Sequence, residues 1–396
     1  MSLEWETKSF SDLVEIIGGG TPKTSKEEYW DGNIPWISIK DFNNDLKYIK
    51  ATEKTITELG LENSSTKILE PGDLIISARG TVGEIAMISS PMAFNQSCYG
   101  LRAYDFMDKG FTYYLLKYNI DKLKNSTHGS VFDTITTNTF NNIFVNVPSI
   151  DIQKKINDIL SNIDKKIELN MELNNNLFKQ LISLYKDWMF NFTPFKDKSF
   201  KSSSFGLIPE DWNVGTLGDI IEIFDSKRVP LSGNDRENME KIYPYYGAAS
   251  LMDYVDDYIF DGTYLLIGED GTVTDDKGFP ILQYVWGKFW VNNHAHIVKG
   301  KKGFNVESLY LLLSQTNIQS IVTGAVQPKV NQNNLKSLEV IIPSKNVMKE
   351  FNELIKPFFE AIKTNEMEIE NLTKLRDVLL PKLMSGEIDV SEVNCD

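Results

Sequence analysis

Gly324-Ala325-Val326-Gln327-Pro328-Lys329-Val330, running on through Leu335 to Val340-Ile341-Ile342-Pro343, has a counterpart 195 residues earlier in Gly129-Ser130-Val131, Phe140 and Val145-Asn146-Val147-Pro148. After each proline comes a long stretch of helical character, and the same offset keeps the apolar positions of both stretches aligned. The beginnings repeat as well. Trp5 with Asp12-Leu13-Val14-Glu15-Ile16 reads like Trp212 with Asp219-Ile220-Ile221-Glu222-Ile223, at an offset of 207. Between these landmarks Ser77-Ala78-Arg79-Gly80-Thr81-Val82-Gly83 loosely parallels Gly268-Glu269-Asp270-Gly271-Thr272-Val273. A sequence written twice predicts one architecture built twice. The chain divides into globular 1–148, helix 149–190, linker 191–209, globular 210–343 and helix 344–390. The linker rests on the polar run Lys198-Ser199-Phe200-Lys201-Ser202-Ser203-Ser204.

Both globular segments mix short β-branched and aromatic runs, such as Leu74-Ile75-Ile76 and Phe289-Trp290-Val291, with glycine, asparagine and aspartate turn signals. Helical patches around Tyr113-Tyr114 and Tyr310-Leu311 interrupt them, so the class is α+β. In the first long helix Ile152, Ile156, Ile159, Ile163, Ile167, Asn170, Asn174, Leu177, Leu181, Leu184 and Trp188 recur in steps of three and four, the seam of a coiled coil. The second helix repeats the stripe through Val347, Phe351, Leu354, Phe358, Ile362, Asn365, Ile369, Leu372, Arg376, Leu379 and Leu383. Two such stripes in one chain predict an antiparallel helix pair, and pairing about the midpoints sets Asn170 against Asn365. Pro357 argues for a second helix that starts near it, because proline is tolerated in a first turn and costly in the interior.

At 396 residues, 41% hydrophobic and 11% aromatic, the chain can fill two or three cores. No apolar run approaches the ~20 residues of a membrane span, and the start lacks a signal-peptide pattern, so the reading is a cytoplasmic protein. Cys98 and Cys395 lie far apart, and His128, His294 and His296 have no cysteine near them, which argues against a disulfide framework or a structural zinc site. There is no phosphate-binding loop of the P-loop kind. Gly18-Gly19-Gly20-Thr21-Pro22 leads through proline into polar residues and has no nucleotide-cradle spacing. No Asn-Pro-Pro or Asp-Pro-Pro run exists for amine methylation. Glu269-Asp270 and Asp275-Asp276 read as solvated acidic turns, and His294-x-His296 as a surface or hydrogen-bonded pair in a strand-like run. No cofactor, no metal and no catalysis are expected.

With two recognition-like domains, each followed by a long helix, the chain resembles the specificity (S) subunits of type I restriction-modification enzymes. The likeness is carried by Ile17-Gly18-Gly19-Gly20-Thr21-Pro22 with Glu28-Tyr29-Trp30-Asp31-Gly32-Asn33-Ile34-Pro35-Trp36-Ile37-Ser38, by Gly206-Leu207-Ile208-Pro209-Glu210-Asp211-Trp212, by Gly324 to Val330, and by Leu380-Pro381-Lys382-Leu383-Met384-Ser385-Gly386-Glu387-Ile388. The first half departs from the pattern with Phe132-Asp133 where the second has Gln327-Pro328. The resemblance implies two target-recognition domains in tandem, separated by an antiparallel pair of long coiled-coil helices acting as a ruler. It implies a non-catalytic reader of a bipartite, asymmetric double-stranded DNA site that recruits two methyltransferase subunits and restriction subunits. The recognised sequence itself is not readable from the chain. The alternative is a duplicated coiled-coil scaffold that binds only proteins.

The charge is an obstacle to the DNA reading, since 41 basic against 55 acidic residues leave −14 and neither globular half is basic. Base contacts from loops, with partner subunits supplying phosphate neutralisation, resolve it. Only five of the basic residues are arginine: Arg79, Arg102, Arg228, Arg236 and Arg376. Arg79 and Arg228 lie in loop-like sequence and suit bidentate guanine contacts. Lys227, Lys23, Lys26, Asn95, Gln96, Tyr245, Tyr246, Asn293, Gln327 and Lys329 complete the candidate DNA contacts. Leu177, Leu181, Leu184, Asn170, Asn365, Ile362 and Leu379 are the candidate helix seam.

Overall fold

The computed structural model describes residues 5–42, 46–125, 134–324 and 326–393. Gly129-Ser130-Val131, Phe132-Asp133, His128, Ala325 and Cys395 lie outside them. The chain forms two compact units, residues 1–172 with 366–396 and residues 173–365. Each contains part of both long helices, which span Ile150–Met189 and Lys345–Met384.

The first unit holds a five-stranded sheet and a four-stranded sheet. In the five-stranded sheet Cys98–Ala103 lies between Val14–Gly18 and Leu74–Ser77, all antiparallel, and Ile85–Ile88 continues beyond Leu74–Ser77. In the smaller sheet Trp30–Ile37 runs parallel to Met92–Phe94 and antiparallel to Lys54–Ile56. A separate ribbon pairs Glu6–Ser9 with Phe144–Val147, next to the start of the long helix.

The second unit repeats the plan with a four-stranded central sheet, without a described counterpart of Tyr48–Ile49, which lies beside Ile85–Ile88 in the first. Ala295–Gly300 lies between Ile221–Ile223 and Tyr264–Gly268, with Leu282–Val285 beyond. Tyr243–Tyr246 runs parallel to Lys288–Val291, and Asn213–Thr216 pairs with Glu339–Ile342. The α+β class and the tandem organisation are therefore visible in the backbone. Helix Lys109–Tyr118, capped by Asp108, and helix Val306–Ser314, capped by Asn305, occupy matching places, each start fixed by a side chain accepting a backbone N–H of its first turn.

Within each unit the long helices run antiparallel. In the first, Asp164 meets Arg376 at 3.0 Å and Lys166 meets Glu368 at 3.3 Å. Ile152, Ile156, Leu160, Leu380, Leu383 and Met384 join its core. In the second, Leu181, Ile355, Phe359 and Ile362 are buried, Leu177 and Leu184 pack against them, and Tyr185 meets Phe351 with rings 6.0 Å apart. Leu379 packs in the same way in the first unit.

Three expectations are corrected. Asn170 donates to Glu368 (2.8 Å) and Asn365 donates to Asn174 (2.8 Å), so each asparagine amide finds its acceptor within its own unit in place of the expected Asn170 to Asn365 pairing. The second helix starts at Lys345 and continues through Pro357. That proline and Glu353, whose carbonyl it leaves without its helical partner, are both exposed, so the break falls on the solvent side of the helix while Phe351, Ile355 and Phe359 stay buried. The buried stripe runs through Phe351, Ile355, Phe359 and Ile362, which leaves Leu354 exposed. Finally, the 191–209 stretch is folded: a turn at Thr193–Phe195 leads into a hairpin of Phe200–Ser203 with Gly206–Pro209. Its aromatics hold it down, Phe192 and Phe195 each standing 5.3 Å from the buried Trp212 ring.

Candidate nucleic-acid interface

In each unit four loops converge at the same end of the central sheet. In the first they are the turn after Val14–Gly18, the turn after Leu74–Ser77, the Asn95–Ser97 turn and the segment at Ile135. Gly20 N–H donates to the Phe94 carbonyl, Ala78 N–H to Ser97, and Ile135 N–H to Ala78. The glycine run is a packing device. A Cβ on Gly19 would stand 2.1 Å from the Asn95 carbonyl oxygen, and one on Gly20 2.3 Å from the Thr66 nitrogen.

Arg79 sits at the tip of the second of these loops, exposed, beside Gly80 at φ +79°. It makes no side-chain hydrogen bond or ion pair with the described residues. The other four arginines are all held by carboxylates: Arg102 by Asp73 (2.6 Å), Arg236 by Asp253 (2.6 Å), Arg376 by Asp164, and Arg228 by Glu269 (2.6 Å). Lys23 is exposed, and its carbonyl accepts from the Trp30 ring. Lys26 is paired with Glu28 at 3.4 Å. Asn95 accepts from Ser97 N–H within its own turn, and the exposed Gln96 is bonded by Thr21.

In the second unit the four loops are tied by buried charge. Asp225 accepts from His296 Nδ1 (2.6 Å), Gln332 Nε2 (2.6 Å) and the Ile297 N–H (3.0 Å). His296 is fully buried, and its Nε2 faces the Val330 carbonyl at 2.7 Å. Both ring nitrogens thus face oxygen atoms, which fixes the orientation of the ring. Burial works against the Asp225 charge, but the bonds from His296 and Ile297 and the nearby Arg228 outweigh it and hold the carboxyl below its usual range. Arg228 adds bonds to the carbonyls of Ala295 (2.8 Å) and Asn293 (3.3 Å).

Asp225, Glu269 and His296 present donor atoms within 4.8 Å of one another, a spacing that can hold a cation. Arg228 and Lys329, at 2.6 and 3.4 Å from Glu269, already supply positive charge there. His294, two residues from His296, is exposed and meets Asp270 at 2.6 Å, so the two rings serve different carboxylates. Tyr245 is buried, its hydroxyl accepting from Leu231 N–H (3.1 Å), and Tyr246 packs on Phe289. Lys227 lies exposed over Phe224, Asn293 is exposed, and Gln327 and Lys329 project from the last loop. The sequence reading did not find Asp225 or Gln332. His296 was visible only as half of a pair, because its partner stands 71 residues away.

Strand pairing aligns the two ends residue by residue. Leu101 opposite Ile16 matches Val298 opposite Ile223, and Cys98 opposite Ser77 matches Ala295 opposite Gly268. Gly18, Thr21, Ala78 and Tyr99 therefore occupy the places of Asp225, Arg228, Glu269 and His296. Arg79 occupies the place of Asp270.

Residues 2–179 and 209–374 each match the family model described as the type I restriction modification DNA specificity domain. The chain belongs to this family. The match covers both repeats and most of both long helices. A relative from Methanocaldococcus jannaschii, the type I restriction enzyme MjaIX specificity subunit, is 29% identical over 98% of this chain and 95% of its own length. The type I restriction enzyme EcoprrI specificity subunit of Escherichia coli is 23% identical over 86% and 84%. Among solved structures, the type I restriction-modification S subunit from M. genitalium superposes with a TM-score of 0.57 at 16% identity, covering 97% of this chain and 96% of that one, which shows the shared fold.

Proposed function

We propose that this chain is the DNA-specificity subunit of a type I restriction-modification complex, that each unit reads one half of a split, asymmetric site, and that the chain carries no catalysis of its own. The observation that carries the reading is the exchange of chemistry between equivalent loops of two DNA specificity domains. Where the first unit presents an Arg79 that has no side-chain partner among the described residues, the second presents Asp270 bound to His294. Loops that differ this much read different half-sites.

In the first unit Arg79 is the guanine-reading residue, with Lys23, Lys26, Asn95 and Gln96 around it. In the second, Lys227, Asn293, Gln327 and Lys329 face the DNA, Arg228 and Tyr245 hold the loops that carry them, and Tyr246 supports the adjoining strand. The overall acidity fits a complex in which partner subunits neutralise most phosphates. Met367, Leu375 and Val378 on the second long helix, and Leu169 on the first, are exposed apolar side chains in the first unit, which supports helix surfaces occupied by two methyltransferase subunits and, in the full complex, restriction subunits. No described helix is long and apolar enough to cross a membrane, and the work is assigned to the cytoplasm, where chromosomal DNA is accessible.

The test is co-expression with the modification subunit, followed by sequencing of methylated positions. A two-part motif with adenine methylation in each half is expected, and replacing residues 1–148 by those of a relative should alter one half only. Methyl transfer or cleavage by the purified chain alone, or alteration of both halves by the swap, would refute the assignment.

A further inference from the structure

The hairpin closed by Thr323 and Lys329 is fixed at its base and bare at its tip. The Thr323 N–H donates to the Lys329 carbonyl (2.8 Å) and the Lys329 N–H returns the bond (2.7 Å). Gly271 N–H holds the Pro328 carbonyl at 3.0 Å, and Val330 N–H donates to the Glu269 carbonyl at 2.9 Å. The buried Asp225 and His296 pair then grips the segment beyond, through the Val330 carbonyl and Gln332 at the start of the helix Gln332–Ser337. Gly324, at φ +86°, lets the chain fold back so closely that a Cβ there would stand 2.3 Å from the Gln327 carbonyl oxygen.

At the tip, Val326 is 100% exposed, and the Gln327 side chain is exposed without a hydrogen bond to the described residues. A valine wholly in water on an anchored turn gives the fold nothing. Its two methyl groups match a surface that offers a methyl in return. A carboxamide presents a donor and an acceptor side by side, the pattern that pairs with N7 and the N6 amino group of adenine, while the thymine partner exposes its C5 methyl in the same groove. Lys329, next to the tip and half exposed, holds its ammonium 3.4 Å from Glu269, so positive charge stands beside the tip on the side where a phosphate would lie.

We propose that Val326 and Gln327 read one A·T base pair in the major groove of the half-site bound by the second unit. This rests on the DNA-reading function above and goes further in naming the side chains and the base pair.

The test uses the full chain with its modification subunit and sequences methylated sites in cells carrying each variant. Gln327→Ala should relax one A·T position of one half-site, lowering discrimination there about 10- to 100-fold while every other position keeps its preference. Gln327→Glu keeps the size but offers only acceptors, so the preferred base at that position should move from adenine to cytosine, whose N4 amino group donates. Val326→Ala should weaken the same base pair several-fold. Melting temperatures of all three should equal the parent's, because neither side chain packs against the fold. The inference is overturned if the variants leave the motif unchanged, if all positions of both halves weaken alike, or if only assembly with the modification subunit is lost. A parent chain that directs no methylation at all refutes the DNA-reading function itself, and this inference with it.

Discussion

The two units share the strand order of their sheets apart from one extra edge strand in the first, but place their buried charges at opposite ends. In the first unit the charge lies where the globular part meets the helices. Arg376 and the Tyr114 hydroxyl (2.5 Å) both bond Asp164, and Lys47, buried among Tyr48, Tyr113 and Tyr114, stands 3.3 Å from the same hydroxyl. In the second unit the positions equivalent to Asp164 and Arg376 are Phe359 and Leu181, and an aromatic cluster of Phe178, Tyr284, Tyr310 and Phe359 fills the space. At the loop end the order is reversed: glycine, threonine, alanine and tyrosine in the first unit, the Asp225, Arg228, Glu269 and His296 network in the second. The same backbone thus accepts an ionic or an apolar solution at either end, which means that the strand plan is set by the sheet cores and that the ends are free to diverge.

The largest effect should come from breaking the ionic end of the first unit. Arg376→Ala leaves Asp164 buried without its cation and should cost about 3 to 5 kcal/mol in urea unfolding. The double change Asp164→Phe with Arg376→Leu copies the second unit and should recover most of that loss. A double variant no more stable than the single one would show that the two solutions are not interchangeable. Next in size is a pH effect confined to the first unit. Burial pushes Lys47 down to about 8, against the pull of Asp164, Asp108 and Glu168 and with a push from Lys165. A base whose folded value lies below its unfolded value of 10.5 adds stability that is complete above 10.5 and is lost as pH falls through about 8. Stability should therefore rise by about 2 kcal/mol between pH 7 and 9.5, before the tyrosines ionise. Lys47→Met should flatten that rise in denaturant titrations at the two pH values; an unchanged slope would remove Lys47 as its cause.

At the loop end, Asp225→Asn should cost about 1 to 3 kcal/mol, since one acceptor of a buried network becomes a donor. It should also blur the half-site of the second unit alone, a readout that simple destabilisation would spread over both halves. The smallest effect on stability, within about 0.5 kcal/mol, belongs to Arg79→Ala. That variant should nevertheless relax one guanine position in the other half-site, as sequencing of methylated sites would reveal.

The repeat and the long helices were legible because their signal is local: residues three and four apart on one face, and landmarks at a constant offset. Arg79 stood out for a compositional reason, since in a chain so poor in arginine each one can be weighed singly. The loop residue Arg228 looked the same in sequence. What separates the two is Glu269, brought across the sheet from 41 residues away, and no window of sequence contains that contact. The exposed Leu354 and the folded 191–209 hairpin escaped for a related reason. A heptad count does not know where the globular domain sits beside the helix, and a serine-rich run hides the aromatics that pin it to Trp212.

The clamp in the first unit also sets a rule for building chimeras. A graft that exchanges residues 1–148 removes Lys47 and Tyr114 but leaves Asp164 and Arg376 behind on the helices. An incoming domain that offers phenylalanine or leucine there would cover a carboxylate it cannot bond, and the hybrid would fail to assemble however well its loops suited their DNA. Choosing donors by whether they carry a tyrosine at the place of Tyr114, or moving Asp164 and Arg376 along with the domain, makes graft compatibility a matter of two helix positions far down the chain from the loops being exchanged.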